Sequence, residues 1–267
     1  MEKNNYRNAI YGAVIGDALG VPYEFQRRGS FHCVDMVGYG THMQPPGTWS
    51  DDSSMLLATC RALKDNKGRI DIGLMLDYFR QWKYKGRFTP DGNVFDIGCT
   101  TSNALRTGES QTGEYDNGNG SLMRILPLAF TNCSDDEICD VSAITHGHPI
   151  SMRCCVRYVH IVRDIANGAN FWNKVNADSY LSEIVHADID DIRSGGFVEH
   201  TFKAALWCVY NTRTFKECLL CAVNLGDDTD TTACVAGGLA GTIYQLNDLP
   251  NNWIDILRGK DIIEDCI

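Results

Sequence analysis

The chain has no stretch approaching roughly eighteen apolar residues, no run of basic residues, and scarcely any alternation of apolar with polar positions. The first absence excludes a membrane-spanning helix. The second argues against nucleic acid as a partner, because gripping a phosphate backbone needs clustered Lys and Arg, and the net charge here is −10. The third leaves little room for sheet: residues 32–37 are the one short extended candidate, and Gly38 and Gly40 interrupt them. A secretory leader is not expected either, since Met1 to Asn5 carry both charge signs and Asp17 breaks the first apolar run.

Cysteine is not scarce, yet its pattern is not that of a disulfide or zinc framework. Of twelve cysteines, Cys154 and Cys155 are adjacent, and Cys60, Cys139, Cys208 and Cys234 lie in apolar segments where a thiol behaves as a small hydrophobe. Cys218-x-x-Cys221 has a redox or zinc spacing, but it sits in a helical run with no second such pair. The expectation is a reduced, cytoplasmic, soluble protein.

What is present is helical periodicity. Tyr6, Ile10, Val14 and Ala18 recur at i, i+4 and predict a first helix ending near Gly20. Further helices are predicted from Asp51 or Asp52, then over 72–84, 100–107, 135–145, 150–167, 172–185 and 197–211. Thr214 is a candidate N-cap for a helix reaching Val223; another follows over 229–245, and Pro250 precedes a short last one near 253–257. Glycine-bearing loops occupy 27–49, 86–98 and 108–120, and loops this long in a small domain usually carry function or move. The reading is all-α: one domain over residues 1–267.

Two acidic clusters stand at helix starts far apart in the chain, Ser50-Asp51-Asp52 and Asp228-Thr229-Asp230-Thr231. Small divalent cations prefer such hard oxygen donors. Acidic residues also suit a helix N-terminus without any metal, which accounts for one cluster easily and for two only by coincidence. Small residues dominate 233–241, where Gly237, Gly238 and Gly241 each cost a helix about 1 kcal/mol against alanine. Close approach of another helix is the natural compensation, and the helix opened by Ser50-Asp51-Asp52 is the expected neighbour at its start. Asn117-Gly118-Asn119-Gly120-Ser121 precedes the apolar run 122–130. Its glycines can turn N–H groups toward a phosphate with help from the following helix start, although Asn-Gly pairs are first of all turn formers. His146 and His148 flank Gly147 at a helix-to-helix turn; capping is their first reading and ligand contact the second. Glu24 says little alone, and Asp96 can simply cap the helix at Thr100.

Six motifs occur in order: Gly16-Asp17-Ala18-Leu19-Gly20 with Tyr23-Glu24; Trp49-Ser50-Asp51-Asp52-Ser53-Ser54-Met55; Phe95-Asp96-Ile97-Gly98; Gly118-Asn119-Gly120-Ser121-Leu122-Met123-Arg124; His146-Gly147-His148-Pro149; and Gly226-Asp227-Asp228-Thr229-Asp230-Thr231. Together they resemble the ADP-ribosylglycohydrolase family, which includes the dinitrogenase reductase-activating glycohydrolase, over about residues 6–258. The resemblance implies an all-α orthogonal helical bundle with a central binuclear cleft for two Mg²⁺ or Mn²⁺. It implies Ser50, Asp51, Asp52, Asp228, Asp230 and Thr231 as metal ligands, and Glu24, Asp51 and Asp228 as catalytic groups. Asp96, Asn117, Gly118, Asn119, Gly120, Ser121, His146 and His148 are the residues expected to face substrate. Two departures stand out: Ser50 where threonine is usual, which keeps the hydroxyl, and Asp227 where glycine is common.

The implied activity is removal of ADP-ribose from a mono-ADP-ribosylated protein, with arginine favoured because of Asp96. Hydrolysis of a free derivative such as O-acetyl-ADP-ribose is the first alternative. A non-catalytic ADP-ribose-binding protein is the second, and it predicts lost ligands where all six positions here still carry oxygen donors. The partner expected is an ADP-ribosylated protein or ADP-ribose derivative, with no nucleic acid, no membrane, and a monomeric chain.

Overall fold

A computed structural model describes residues 3–249 and 251–267. Helix α1 (Lys3–Gly20) and helix α11 (Thr229–Tyr244) form its centre. Nearly every side chain of both is buried, from Ala9 to Leu19 and from Thr229 to Thr242. A helix apolar or small on all sides belongs inside a protein, and these two are surrounded by the rest.

The two run antiparallel with backbones almost touching. A Cβ added to Gly12 would lie 2.3 Å from the Gly237 carbonyl oxygen, one on Gly16 2.1 Å from that of Ala233, and one on Gly20 2.4 Å from Asp230 Cα. Glycine at i, i+4, i+8 of α1 thus admits the small-residue face of α11, and Thr229 Oγ1 closes the contact by donating to the Gly20 carbonyl at 2.8 Å. The compensating partner of α11 is therefore α1. The predicted neighbour α2 (Asp51–Asp65) meets α11 only near its start, where Thr231 Oγ1 donates to Asp52 Oδ2 at 3.4 Å.

Around this pair lie α3 (Ile72–Lys85), α4 (Cys99–Thr107), α5 (Asp135–Ala143), α6 (Pro149–Ala166), α7 (Phe171–Ala177), α8 (Ser179–Val185), α9 (Val198–Asn211), α10 (Phe215–Asn224), α12 (Asn251–Ile256) and α13 (Lys260–Cys266). Local capping explains many of the boundaries: Ser134 and Glu137 form a reciprocal capping box on α5, and Thr214 accepts from Glu217 N on α10 as expected. Among the described residues there is no strand, only two isolated bridge pairs, Gln111 with His146 and Gly118 with Phe197. Nor is any helix among them long and apolar enough to cross a membrane.

Three predicted elements differ, and one helix was not predicted. The run 172–185 breaks at Asp178, which is extended and accepts from Tyr180 and Leu181 N–H, so one predicted helix becomes two. Residues 122–130 form two short 3₁₀ turns, Leu122–Arg124 and Leu126–Phe130, with Pro127 opening the second, where a helix start had been expected. The extended candidate 32–37 is loop, and α13 lies beyond the last predicted helix. Cys218 and Cys221 both lie on α10, Cys218 buried and Cys221 half-buried, and both are free thiols. Pro250 lies outside the described residues.

Substituting alanine for glycine should act oppositely at two helical positions. Gly237→Ala drives a methyl to 2.2 Å from the Gly12 carbonyl oxygen and should cost at least about 2 kcal/mol. Gly73→Ala on the exposed first turn of α3 meets nothing closer than 3.4 Å and should stabilise by about 0.5–1 kcal/mol. Urea denaturation of the two variants checks both signs.

Candidate metal centre and substrate cleft

Asp17 projects from α1 and accepts at 2.9–3.1 Å from the backbone N–H groups of Ser50 and Ser53, and at 2.5 Å from Ser53 Oγ. These donors are among the orphan N–H groups at the start of α2, so a buried carboxylate both caps that helix and fixes its position. Ser50 is the N-cap itself: its Oγ accepts from Asp52 N–H at 3.2 Å and lies 2.9 Å from Asp52 Oδ2. Carboxylate oxygens of Asp17, Asp52 and Asp230, on α1, α2 and α11, all lie within 4.8 Å of one another. A second set at the same spacing is Glu24, Asp228 and Asp230, and a third is Glu24, Asp96 and a His42 ring nitrogen.

The charge in this cluster is poorly compensated by protein. Asp52 Oδ1, Asp228 Oδ1 and Asp230 Oδ2 are buried with no hydrogen-bond partner. Burial and mutual repulsion push Asp51, Asp52 and Asp230 well above the carboxylate range and Glu24 and Asp96 up to about 8, while burial lifts Asp17 to about 6 despite its hydrogen bonds. Asp228 is raised by burial and partly held down by Asn119, whose Nδ2 donates to Asp228 Oδ2 at 2.8 Å. Orphaned hard oxygens converging from the starts of α2 and α11, beside Asp17 of α1, are a donor set that fits Mg²⁺ or Mn²⁺.

Beside the carboxylates opens a cleft of about 290 Å³, whose lining includes Glu24, Phe25, Asp51, Asp96, Asp228 and Thr231 together with Gly118, Asn119, Gly120 and His146. The glycine loop is held by residues sequence reasoning passed over: Asn119 N–H donates to the Gly196 carbonyl at 3.0 Å and Val198 N–H to that of Asn117 at 2.9 Å. The Gly195-Gly196 pair before α9 was the available signal. Gly120 must be glycine because a Cβ there would lie 2.8 Å from His146 Cε1 and 2.9 Å from Thr101 Oγ1. His146 is buried, and burial together with the nearby Arg124 charge lowers its pKa to about 3, so the ring is neutral. Thr145 Oγ1 accepts from the Arg124 guanidinium at 2.8 Å and lies 2.8 Å from His146 Nδ1, which favours the hydrogen on Nε2, toward the glycines.

Not every predicted site residue reaches the cleft. His148 caps α6, its Nδ1 accepting from Ile150 N–H at 3.3 Å. Ser121 is fully buried against Ser142 and Cys155, and Asn117 holds the loop from within, through Glu114 and Ser151. With only a three-residue 3₁₀ turn after Ser121, the helix-start field expected for the loop is absent. Asp96 does not cap α4, whose N-cap is Gly98; at φ 62° its carboxyl instead meets Glu24 and His42. His42 was missed: its Nε2 pairs with Glu24 and lies 3.9 Å from Asp96 Oδ1. Asp17 breaks an apolar run and belongs to the first of the six motifs, yet it is not among the expected ligands. Asp227 takes φ 59° with an exposed side chain, which explains glycine as its common alternative, and its N–H and C=O pair with Gln26 and Phe25.

The molecule is thus an all-α protein built round a buried carboxylate cleft. The ADP-ribosylglycohydrolase family model matches residues 2–267, and the chain belongs to that family of enzymes. It is 34% identical to an ADP-ribosylarginine hydrolase, Tri1, of Serratia proteamaculans, over 96% of this chain and 76% of the relative. It is 31% identical to the ADP-ribosyl-[dinitrogen reductase] glycohydrolase of Rhodospirillum rubrum, over 94% of this chain and 90% of that one. A solved structure titled as an ADP-ribosylglycohydrolase-related protein complex superposes with a TM-score of 0.82 at 28% identity, covering 100% of this chain and 97% of the other.

Carboxylates that ionise less readily when folded favour the fold at low pH and oppose it as pH rises through their folded values. His146, lowered from 6.5, has the opposite effect below that pH. The window from about 6.5 to about 8, where Glu24 and Asp96 titrate, is therefore the clean one. In EDTA the melting temperature should fall across it, and millimolar Mg²⁺ or Mn²⁺ should restore several degrees by binding the folded state alone. A melting temperature flat across that window and indifferent to either cation would contradict the carboxylate account.

Proposed function

We propose that this protein hydrolyses the N-glycosidic bond between ADP-ribose and an arginine side chain of a modified protein, using two divalent cations, Mg²⁺ or Mn²⁺. The observation that carries the reading is the pair of carboxylate trios sharing Asp230 at the floor of the cleft, three of whose oxygens have no protein partner. Ser50, Asp51, Asp52, Asp228, Asp230 and Thr231 are the residues that would hold the ions. Arginine as acceptor is supported by the acidic Glu24–Asp96 pair in the cleft lining and by two relatives at 34% and 33% identity named as ADP-ribosylarginine hydrolases.

When bound, the cations supply Lewis-acid charge for the ribose hydroxyls and lower the pKa of a water molecule. Asp51 and Asp228 line the cleft and are the bases available to take the proton of an attacking water. The Asn119 amide fixes Asp228 by donating to Oδ2, leaving Oδ1 directed elsewhere. As the glycosidic bond breaks, positive charge grows on the ribose, and the surrounding carboxylates stabilise it. Guanidine is strongly basic and departs protonated; Glu24 and Asp96 receive it through charge-assisted contacts. Gly118, Gly120 and the Nε2 edge of His146 line the wall suited to the diphosphate, with no side chain from either glycine in the way.

Proteins carrying ADP-ribose on Arg, Ser or a carboxylate, together with O-acetyl-ADP-ribose, are each incubated with and without EDTA. The expected result is release from arginine that EDTA abolishes, and preferential cleavage of any other linkage overturns the acceptor assignment. Asp51→Asn and Asp228→Asn should each slow release about a hundredfold or more with the circular dichroism spectrum unchanged. If both keep wild-type rates, the bases are misassigned.

A further inference from the structure

Three large apolar residues of the 25–43 region, Phe25, Tyr39 and Met43, are exposed at 66%, 57% and 71%. All three also have positive φ, 64°, 72° and 54°, where glycine or asparagine is the ordinary occupant and bulky side chains are outliers. Neither backbone preference nor burial in the free molecule accounts for a Phe, a Tyr and a Met at these positions. Such outliers direct attention to use in a complex.

The segment is pinned at the cleft. Thr41 N–H and Oγ1 donate to the carbonyls of Pro22 and Glu24 at 3.0 and 2.6 Å, Tyr39 N–H donates to that of Gln44 at 2.6 Å, and Phe25 N–H to that of Asp227 at 2.7 Å. Gly40 permits this seating, since a Cβ there would fall 1.8 Å from the Pro22 oxygen. Between Tyr39 and Met43, His42 reaches inward to Glu24, with its ring 5.9 Å from that of Phe25. Phe25 itself lines the cleft, and Tyr39 and Met43 flank in sequence the Thr41 and His42 that are bonded to Glu24.

Resting on the function proposed above, we infer that Phe25, Tyr39 and Met43 form a docking rim for the polypeptide that carries the modified arginine, and that they favour apolar side chains beside that arginine. A side chain that enters the cleft must lay its backbone across the mouth. The acidic wall answers the guanidinium, and the rim answers its apolar neighbours. Because hydrogen bonds already order the loop, contact costs little additional ordering.

The test uses three substrates: a short peptide with one ADP-ribosyl-arginine between apolar residues, the same peptide with serines beside the arginine, and ADP-ribosyl-arginine alone. Tyr39→Ser/Met43→Ser, a double variant of exposed positions outside the cleft lining, should raise KM for the apolar-flanked peptide about tenfold with kcat kept. Its constants for ADP-ribosyl-arginine should stay at the wild-type values. An unchanged KM for the apolar-flanked peptide, or an equal loss on all three substrates, overturns the rim. A wild-type protein that cleaves none of the three overturns the functional reading beneath it, a result distinct from the other two.

Discussion

The contact between α1 and α11 is the constraint from which the rest of the structure follows. Two helices ordinarily pack 8–10 Å apart, at a distance set by their side chains. Here glycine at positions 12, 16 and 20 brings backbone against backbone, so that the acid on α1 and the acid at the start of α11 share one small volume with an acid of α2. Asp17 converts that proximity into position: by capping α2 from a neighbouring helix it fixes where Asp51 and Asp52 begin. A single methyl group in the seam would separate the carboxylates before it disturbed any of them directly.

The same packing creates an electrostatic imbalance that the protein does not resolve by itself. Burial raises the cost of each charge, and the carboxylates raise it further for one another. The protein's own compensation is partial: Asn119 for one oxygen of Asp228, the Ser50 and Thr231 hydroxyls for one of Asp52, the Thr231 N–H for one of Asp230, and serine and backbone donors for Asp17. A cluster left in this condition is adapted to receive positive charge from outside. The divalent ions and the departing guanidinium of the function proposed above are both of that kind.

The loops around the cleft are tied to one another as much as to the helices. Phe25 and Gln26 exchange backbone hydrogen bonds with Asp227, Asp228 N–H donates to the Ser194 carbonyl, and Asn119 reaches both Gly196 and Asp228. The segment after Glu24, the start of α11 and the glycine loop are therefore joined by one chain of hydrogen bonds. Asp96 and Asp227 sit in left-handed conformations within or beside it. Strain of this type persists where surrounding contacts over-determine the backbone.

Periodicity, capping residues and the placement of glycine made most of the helices legible, because those signals are local and α-helices are made by local bonds. Asp51 and Asp228 could be marked as helix openers for the same reason. The split at Asp178 and the 3₁₀ turns after Ser121 were not legible, since a side-chain cap and a proline competed with apolar patterns that read as continuous. His42 carried no distinguishing local pattern, and neither the motif around Asp17 nor the glycine pair at Gly196 told what each would hold; their roles exist only relative to Glu24, Ser50 and Asn119, residues on other segments. His148 and Ser121 belonged to conspicuous motifs yet serve capping and core packing. Which elements form was thus a matter for the amino-acid order alone. Which carboxylates meet, which oxygens are left without partners and which face opens to a ligand were decided by the close approach of α1 to α11, because distance between side chains is a property of packing.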